Sequence, residues 1–120
     1  MKKISRILLA VSAPVFALAT MTVTAPTASA TAAACAFNPA HPNKDSGSGH
    51  VVSGKKAPLR SGPHSGCGTI MTVDSSWKLY YHCSYFNGQS AWTHLRLAGT
   101  DVEGWIYVEN LNDFGADKTC

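Results

Sequence analysis

Four cysteines, Cys35, Cys67, Cys83 and Cys120, constrain this 120-residue chain more than any other feature. All four follow an apolar N-terminal stretch. An even number of cysteines in a short exported chain reads as a disulfide framework, because a small domain buries too little apolar surface to be stable unaided. Four cysteines allow three connectivities, and their spacing alone leaves the choice open. No Cys-x-x-Cys pair of the kind that grips zinc is present, so no metal and no cofactor are expected.

The export reading rests on the N-terminus. Lys2, Lys3 and Arg6 precede the apolar run Ile7 to Ala19, and Ala28-Ser29-Ala30 gives the small-x-small pattern of a signal-peptide cleavage site. We expect residues 1–30 to be the signal peptide, cleaved after Ala30. The run is too short to span a bilayer, and no later stretch is longer, so no membrane insertion is expected after cleavage. Ala32-Ala33-Ala34-Cys35 loosely resembles a lipoprotein box, but the polar segment Thr20 to Thr31 separates it from the apolar run and argues against a lipid on Cys35. The expected destination is secretion, with cell-wall association open. Cleavage also removes three positive charges and no acid, so the formal +3 falls to zero, with seven Lys/Arg against seven Asp/Glu. Those charges are scattered, which argues against nucleic acid or an anionic membrane as partner.

Residues 31–49 read as an N-terminal arm ending in a flexible Ser46-Gly47-Ser48-Gly49 connector. From His50 onward, short runs rich in β-branched and aromatic residues alternate with turn signals. The runs are His50 to Ser53, Thr69 to Val73, Lys78 to Tyr85, Ala91 to Leu97 and Glu103 to Tyr107. Gly62-Pro63, Asp74-Ser75-Ser76, Asn87-Gly88 and Ala98-Gly99-Thr100-Asp101 separate them. Leu79, Tyr81 and Cys83 alternate with Lys78, Tyr80 and His82 at the period of a half-buried strand. No helical period persists, and the reading is all-β: a small five-stranded barrel over 50–112 with a C-terminal tail over 113–120. The expected core is Val51, Leu59, Ile70, Val73, Leu79, Tyr81, Leu95, Trp105, Ile106 and Leu111.

Leu59-Arg60-Ser61-Gly62-Pro63, then Thr72-Val73, Lys78-Leu79, Trp92 to Arg96, Gly104-Trp105-Ile106 and Leu111, resembles a bacterial Src-homology-3-like domain over about residues 50 to 112. The resemblance implies that Gly104-Trp105 opens the last strand, that Trp105 packs inward, and that a short helical turn near Val108 to Leu111 closes the barrel. It makes the Cys67 and Cys83 segments neighbours, hence a Cys67–Cys83 bridge. Cys35 and Cys120, near the two mature ends, would then pair. The sequence departs from the family pattern at Met71 and Ser76, where glycine is usual. It also lacks the Tyr-rich loop of polyproline-binding relatives, so that activity is not carried over.

The candidate chemistry is sparse. Cys67 or Cys83 beside His64, His82 or His94 would make a nucleophile only as a free thiolate, which an oxidising compartment and a partner cysteine oppose. His41, His50, His64, His82 and His94 show no ligand spacing and read as solvated surface residues. No pair of carboxylates stands out for glycoside hydrolysis. The protein is therefore expected not to be an enzyme. Trp77, Tyr80, Tyr85, Trp92 and Tyr107 exceed what so small a core can hold, so some should be exposed as a binding face. The alternative is that Tyr85 and Trp92 cap the ends of the barrel. Ligand binding is expected at Trp92, Tyr107 and Asn110, where the resembled fold builds its groove. The resulting expectation is a monomeric, secreted, non-catalytic binding module for cell-wall peptidoglycan or another extracellular polymer or protein. The alternatives are a small secreted effector or inhibitor of another protein and, least favoured, a cell-wall hydrolase.

Overall fold

The computed structural model of the protein describes Cys35 and residues 37–120, so the expected signal peptide and its cleavage site lie outside the described residues. The fold is all-β. Strands β1 (Ser48–Gly49), β2 (Lys56–Arg60), β3 (Thr69–Asp74), β4 (Leu79–Phe86), β5 (Ala91–Leu97) and β6 (Glu103–Tyr107) form one antiparallel sheet in the order β1-β4-β5-β6-β2-β3. The sheet curls into a half-barrel, and a 3-10 turn at Val108–Asn110 follows β6.

The turns form where the sequence carries turn chemistry. Gly88 and Gly99 adopt φ of 95° and 75° in the β4–β5 and β5–β6 hairpins. The Asn87 side chain accepts hydrogen bonds from Gln89 N and Ser90 N, both at 2.9 Å, and the Asp74 side chain accepts one from Ser76 N at 2.9 Å.

The inner face of the sheet gathers Ala57, Leu59, Val73, Leu79, Tyr81, Leu95, Leu97 and Ile106, and Val51 bridges to Leu111 to close one end. Two expectations about this core need correction. Ile70 is 48% exposed: Met71 shares the parity of the buried Val73, so Ile70 must face outward. Trp105 is buried but lies outside this cluster, because its neighbour Ile106 takes the inner face and the indole points to the other side.

The strand count also differs. His50 to Ser53 contributes only the Val51 bridge, whereas Lys56–Arg60 is a full strand paired along β3. The expected flexible connector is fixed in place: Ser48 and Gly49 pair with Tyr80 and Leu79, and Gly47 O accepts from Tyr81 N at 3.0 Å. A Cβ on Gly49 would sit 1.9 Å from Tyr81 Oη, so only glycine lets the arm cross there. That phenol donates to Asp113 Oδ1 at 2.6 Å, and burial, then this carboxylate, push its pKa upward.

The bridges are Cys35–Cys67 and Cys83–Cys120. All four cysteines are thus paired, but not as Cys67–Cys83 and Cys35–Cys120. The cause is a bulge in β4. Register shifts between Tyr81 and Cys83, so that Cys83 opposes His94 on the outer face. The bulged His82 carbonyl accepts the amides of Lys44 and Asp45, both at 2.9 Å, which draws the arm across the sheet. The tail runs beside β4 with Ser84 opposite Thr119, and this brings Cys120 to Cys83. The arm meanwhile carries Cys35 over the Gly62-Pro63 turn to Cys67, with Gly62 packed under the bridge. With Cys35 Sγ bridged, no thiol remains there to carry a lipid.

Asp45 joins arm to tail, accepting from Asp117 N at 2.7 Å and Lys118 N at 3.2 Å. Burial opposes its negative charge, but the amides of Gly47, Lys118 and Asp117 outweigh that and hold its pKa below the ordinary carboxylate value.

Candidate functional site

The outer face of β4, β5, β6 and β2 carries two features side by side. The first is a cleft of about 300 Å³ lined by Pro58, Arg60, Ser65, Ser90, Trp92, Tyr107 and Asn110. Trp92 and Tyr107 oppose each other across β5 and β6, with ring centroids 5.7 Å apart. The Trp92 indole donates to Ser90 Oγ at 2.9 Å, which fixes the ring as a wall. Arg60 donates through Nη1 to Cys67 O at 2.9 Å, so the turn after β2 holds its guanidinium in place. Asn110 reaches the cleft from the 3-10 turn. Tyr107 carries a hydroxyl whose pKa is raised by its hydrogen bond to Glu109, then by burial and by that residue's charge.

Trp92, Tyr107 and Asn110, singled out from sequence, therefore line one cavity. Trp92 differs from expectation in exposure: only 4% of it meets solvent, since Tyr107 and Ser90 cover it. The other aromatics are dispersed. Trp77 packs partly against the inner core, and Tyr80 lies under Lys78 and Arg96, whose charged groups sit 5.3 and 5.2 Å from its ring centroid. The cleft offers one aromatic pair, a guanidinium, an amide and three hydroxyls, those of Ser65, Ser90 and Tyr107. Such a set suits a flat apolar group flanked by polar atoms, as in a peptide or a sugar.

The second feature was not legible in the sequence. His82 and His94 are buried, at 6% and 3% exposure, which corrects the surface reading for both. Their Nδ1 atoms lie 2.8 Å apart, and the His41 ring from the arm stacks on His94 with centroids 3.8 Å apart. Trp105 meets His94 edge-on at 5.0 Å and donates from Nε1 to Asn38 Oδ1 at 3.1 Å. The Tyr81–Leu95 register already carries His82 to the face of His94; the bulge adds Cys83 to that face.

Burial pushes the pKa of His94 down to about 3, helped by the neighbouring charges of His41 and His82, and burial also lowers that of His82. His41, His82, Glu103 and Arg96 are the titratable and charged groups around the pair. In the unfolded chain His94 titrates at its ordinary 6.5, so between there and about 3 the unfolded state binds more protons. Stability therefore falls as pH falls through this window and is flat above it. Each pKa unit is about 1.4 kcal/mol. Halving the shift for residual solvent screening still leaves a loss of about 2 kcal/mol at the acid end. Urea denaturation in chelator-containing buffer, from pH 7.5 to 5, checks the onset before ordinary carboxylates titrate. A stability independent of pH there would show the His94 ring to be solvated.

Every cysteine is bridged, so none offers a thiolate nucleophile. No helix among the described residues is long and apolar enough to cross a membrane. Two disulfides are compatible with an extracellular location.

No family model, curated protein or solved structure matches the chain. The residues themselves must carry the functional reading.

Proposed function

We propose that this protein is a secreted, non-catalytic binding module that holds a segment of an extracellular polymer in the Trp92–Tyr107–Asn110 cleft, with cell-wall peptidoglycan as the leading ligand class. The observation that carries the reading is the convergence of Tyr107, Asn110 and Arg60 on one cavity walled by Trp92. Aromatic faces bind sugars and peptides at little entropic cost, while the amide and guanidinium supply directional hydrogen bonds. The finer fold reading, a bacterial Src-homology-3-like barrel, is supported by the sequence elements quoted above and by the 3-10 turn that follows the Gly104-Trp105 strand.

Tyr107→Ala and Asn110→Ala test this proposal better than Trp92→Ala, since removing a buried indole also destabilises the sheet. Co-sedimentation with purified wall fragments should show binding by the disulfide-bonded protein. Tyr107→Ala should weaken it about thirtyfold, the effect of losing an anchor worth roughly 2 kcal/mol. The melting temperature should hardly move. Equal binding by folded Tyr107→Ala and Asn110→Ala would place the site elsewhere, and no sedimentation at all would remove the wall as ligand.

One observation favours the alternative of an effector or inhibitor of another protein. Strand β3 lies at the sheet edge with Ile70 exposed, an arrangement to which a partner's strand can add. A partner bound this way would be lost on Ile70→Lys and unaffected by Tyr107→Ala.

A further inference from the structure

His41, His94 and Glu103 come from three separate elements: the arm, the middle of β5 and the start of β6. One ligand atom from each nevertheless lies within 4.8 Å of the others. The hydrogen bonds around the two imidazoles decide which atoms are free. His41 Nδ1 is 3.0 Å from Pro39 O. A carbonyl only accepts, so Nδ1 carries the proton and Nε2 keeps its lone pair. His94 Nδ1 faces His82 Nδ1 at 2.8 Å, so one ring must donate to the other. With His94 donating, its Nε2 is likewise left as a lone pair.

We propose that His41, His94 and Glu103 form a binding site for a divalent transition-metal ion of the zinc class, with Pro39 O and His82 as the partners that orient the two imidazoles. Imidazole nitrogen and carboxylate oxygen together suit zinc, copper, nickel and cobalt rather than calcium or magnesium. A carbonyl or an acceptor nitrogen behind each metal-facing ring is the arrangement that fixes tautomer and ring orientation at metal sites. Bonds of about 2.0–2.1 Å place the donors of a tetrahedral site roughly 3.4 Å apart. The present spread closes by about 1.4 Å at most. The exposed Glu103 side chain can supply that movement. Arg96, opposite Glu103 in the ladder, is the charge set against the site, and it is turned away onto Tyr80 and onto Thr100 O at 3.0 Å.

Three protein ligands leave a fourth position open, and they join the arm to the sheet. The ion would thus clamp the arm over Trp105.

The test is titration of the disulfide-bonded protein with Zn²⁺ by calorimetry, and with Co²⁺ by its visible ligand-field absorption. One equivalent should bind saturably, with Co²⁺ giving the intense bands of a four-coordinate site. His41→Ala and Glu103→Gln change partly or fully exposed side chains and should leave the fold intact. Each should weaken Zn²⁺ binding at least tenfold. His50→Ala and His64→Ala, whose imidazoles lie elsewhere, should change nothing. Absence of saturable binding would overturn the proposal. So would unchanged affinity in both His41→Ala and Glu103→Gln, or loss of the ion in His64→Ala alone.

Discussion

Trp105→Ala is expected to lower stability by about 3–5 kcal/mol and to release the arm, although the indole lies outside the barrel interior. Trp105 is 1% exposed because Asn38 and His41 of the arm cover it on one side, and Tyr85 and His94 flank it at 6.3 and 5.0 Å. The protein thus has a second core, between the outer face of the sheet and the arm. Truncating the indole empties that layer, and residues 37–43 then have little but the His41 stack on His94 between the bridge to Cys67 and the Lys44 and Asp45 bonds to His82. Urea denaturation measures the loss, and limited proteolysis between residues 37 and 46 reads the release. Asn38→Ala keeps the ring but orphans its N–H, so it should cost about 1–3 kcal/mol. A Trp105→Ala protein that lost less than about 1 kcal/mol and kept a protease-resistant arm would show that the arm is merely draped on the sheet.

This layer also marks the limit of what the sequence discloses. Four of the six strands follow from alternation of apolar and polar residues, and nine of the ten expected core residues are buried. The exception, Ile70, fails on parity: a strand that buries Val73 cannot bury Ile70. Strand β2 escaped notice because Lys56-Ala57-Pro58 lacks β-branched residues, and Pro58 argues against a strand. β1 escaped because Ser-Gly sequence reads as flexible, whereas here the missing Cβ of Gly49 makes room for Tyr81. Trp92, Tyr107 and Asn110 were singled out by the Src-homology-3-like resemblance rather than by any pattern in the residues, and they line one cleft. The imidazole cluster was not legible. It depends on the register in which β4 pairs with β5 and on an arm crossing from His41, neither of which leaves a local sequence signal.

The bulge in β4 explains the disulfides. A regular β4 would keep His82 outward but turn Cys83 inward, off the outer layer where it is bridged to Cys120; the inward Ser84 meets the tail at a different point, donating from Oγ to Ala116 O at 2.7 Å. The extra residue returns the chain to phase, so that Tyr81 and Ser84 both face in, while His82 and Cys83 both reach the outer layer. Arm and tail then converge on one short length of β4. Lys44 and Asp45 bond to its bulge and Lys118 bonds to Ser84, while Asp45 links the two segments. Each segment is pinned to the sheet by its own bridge.

Removing both bridges is the second large effect. Cys35–Cys67 and Cys83–Cys120 close loops of 32 and 37 residues, each contributing about 4 kcal/mol on the loop-entropy model. The loops do not overlap in sequence, so their constraints on the unfolded chain are independent and should nearly add. A nested pairing, with Cys67–Cys83 inside Cys35–Cys120, would not add in this way, because the inner bridge shortens the outer loop. Either double serine variant should therefore remain folded but lose about 4 kcal/mol. The quadruple serine variant should lose about 8 kcal/mol, within the 5–15 kcal/mol that stabilises a typical domain and above what a small one holds. It should be unfolded at 25 °C by near-ultraviolet circular dichroism. Non-reducing tryptic mapping checks the connectivity directly, since Arg60, Lys78, Arg96 and Lys118 place each cysteine on its own peptide. Peptide 79–96 should be recovered joined to 119–120, and 61–78 joined to the peptide bearing Cys35. Recovery of 61–78 joined to 79–96, or a quadruple variant that keeps its native spectrum, would mean that the β4 bulge does not order the arm and tail as described.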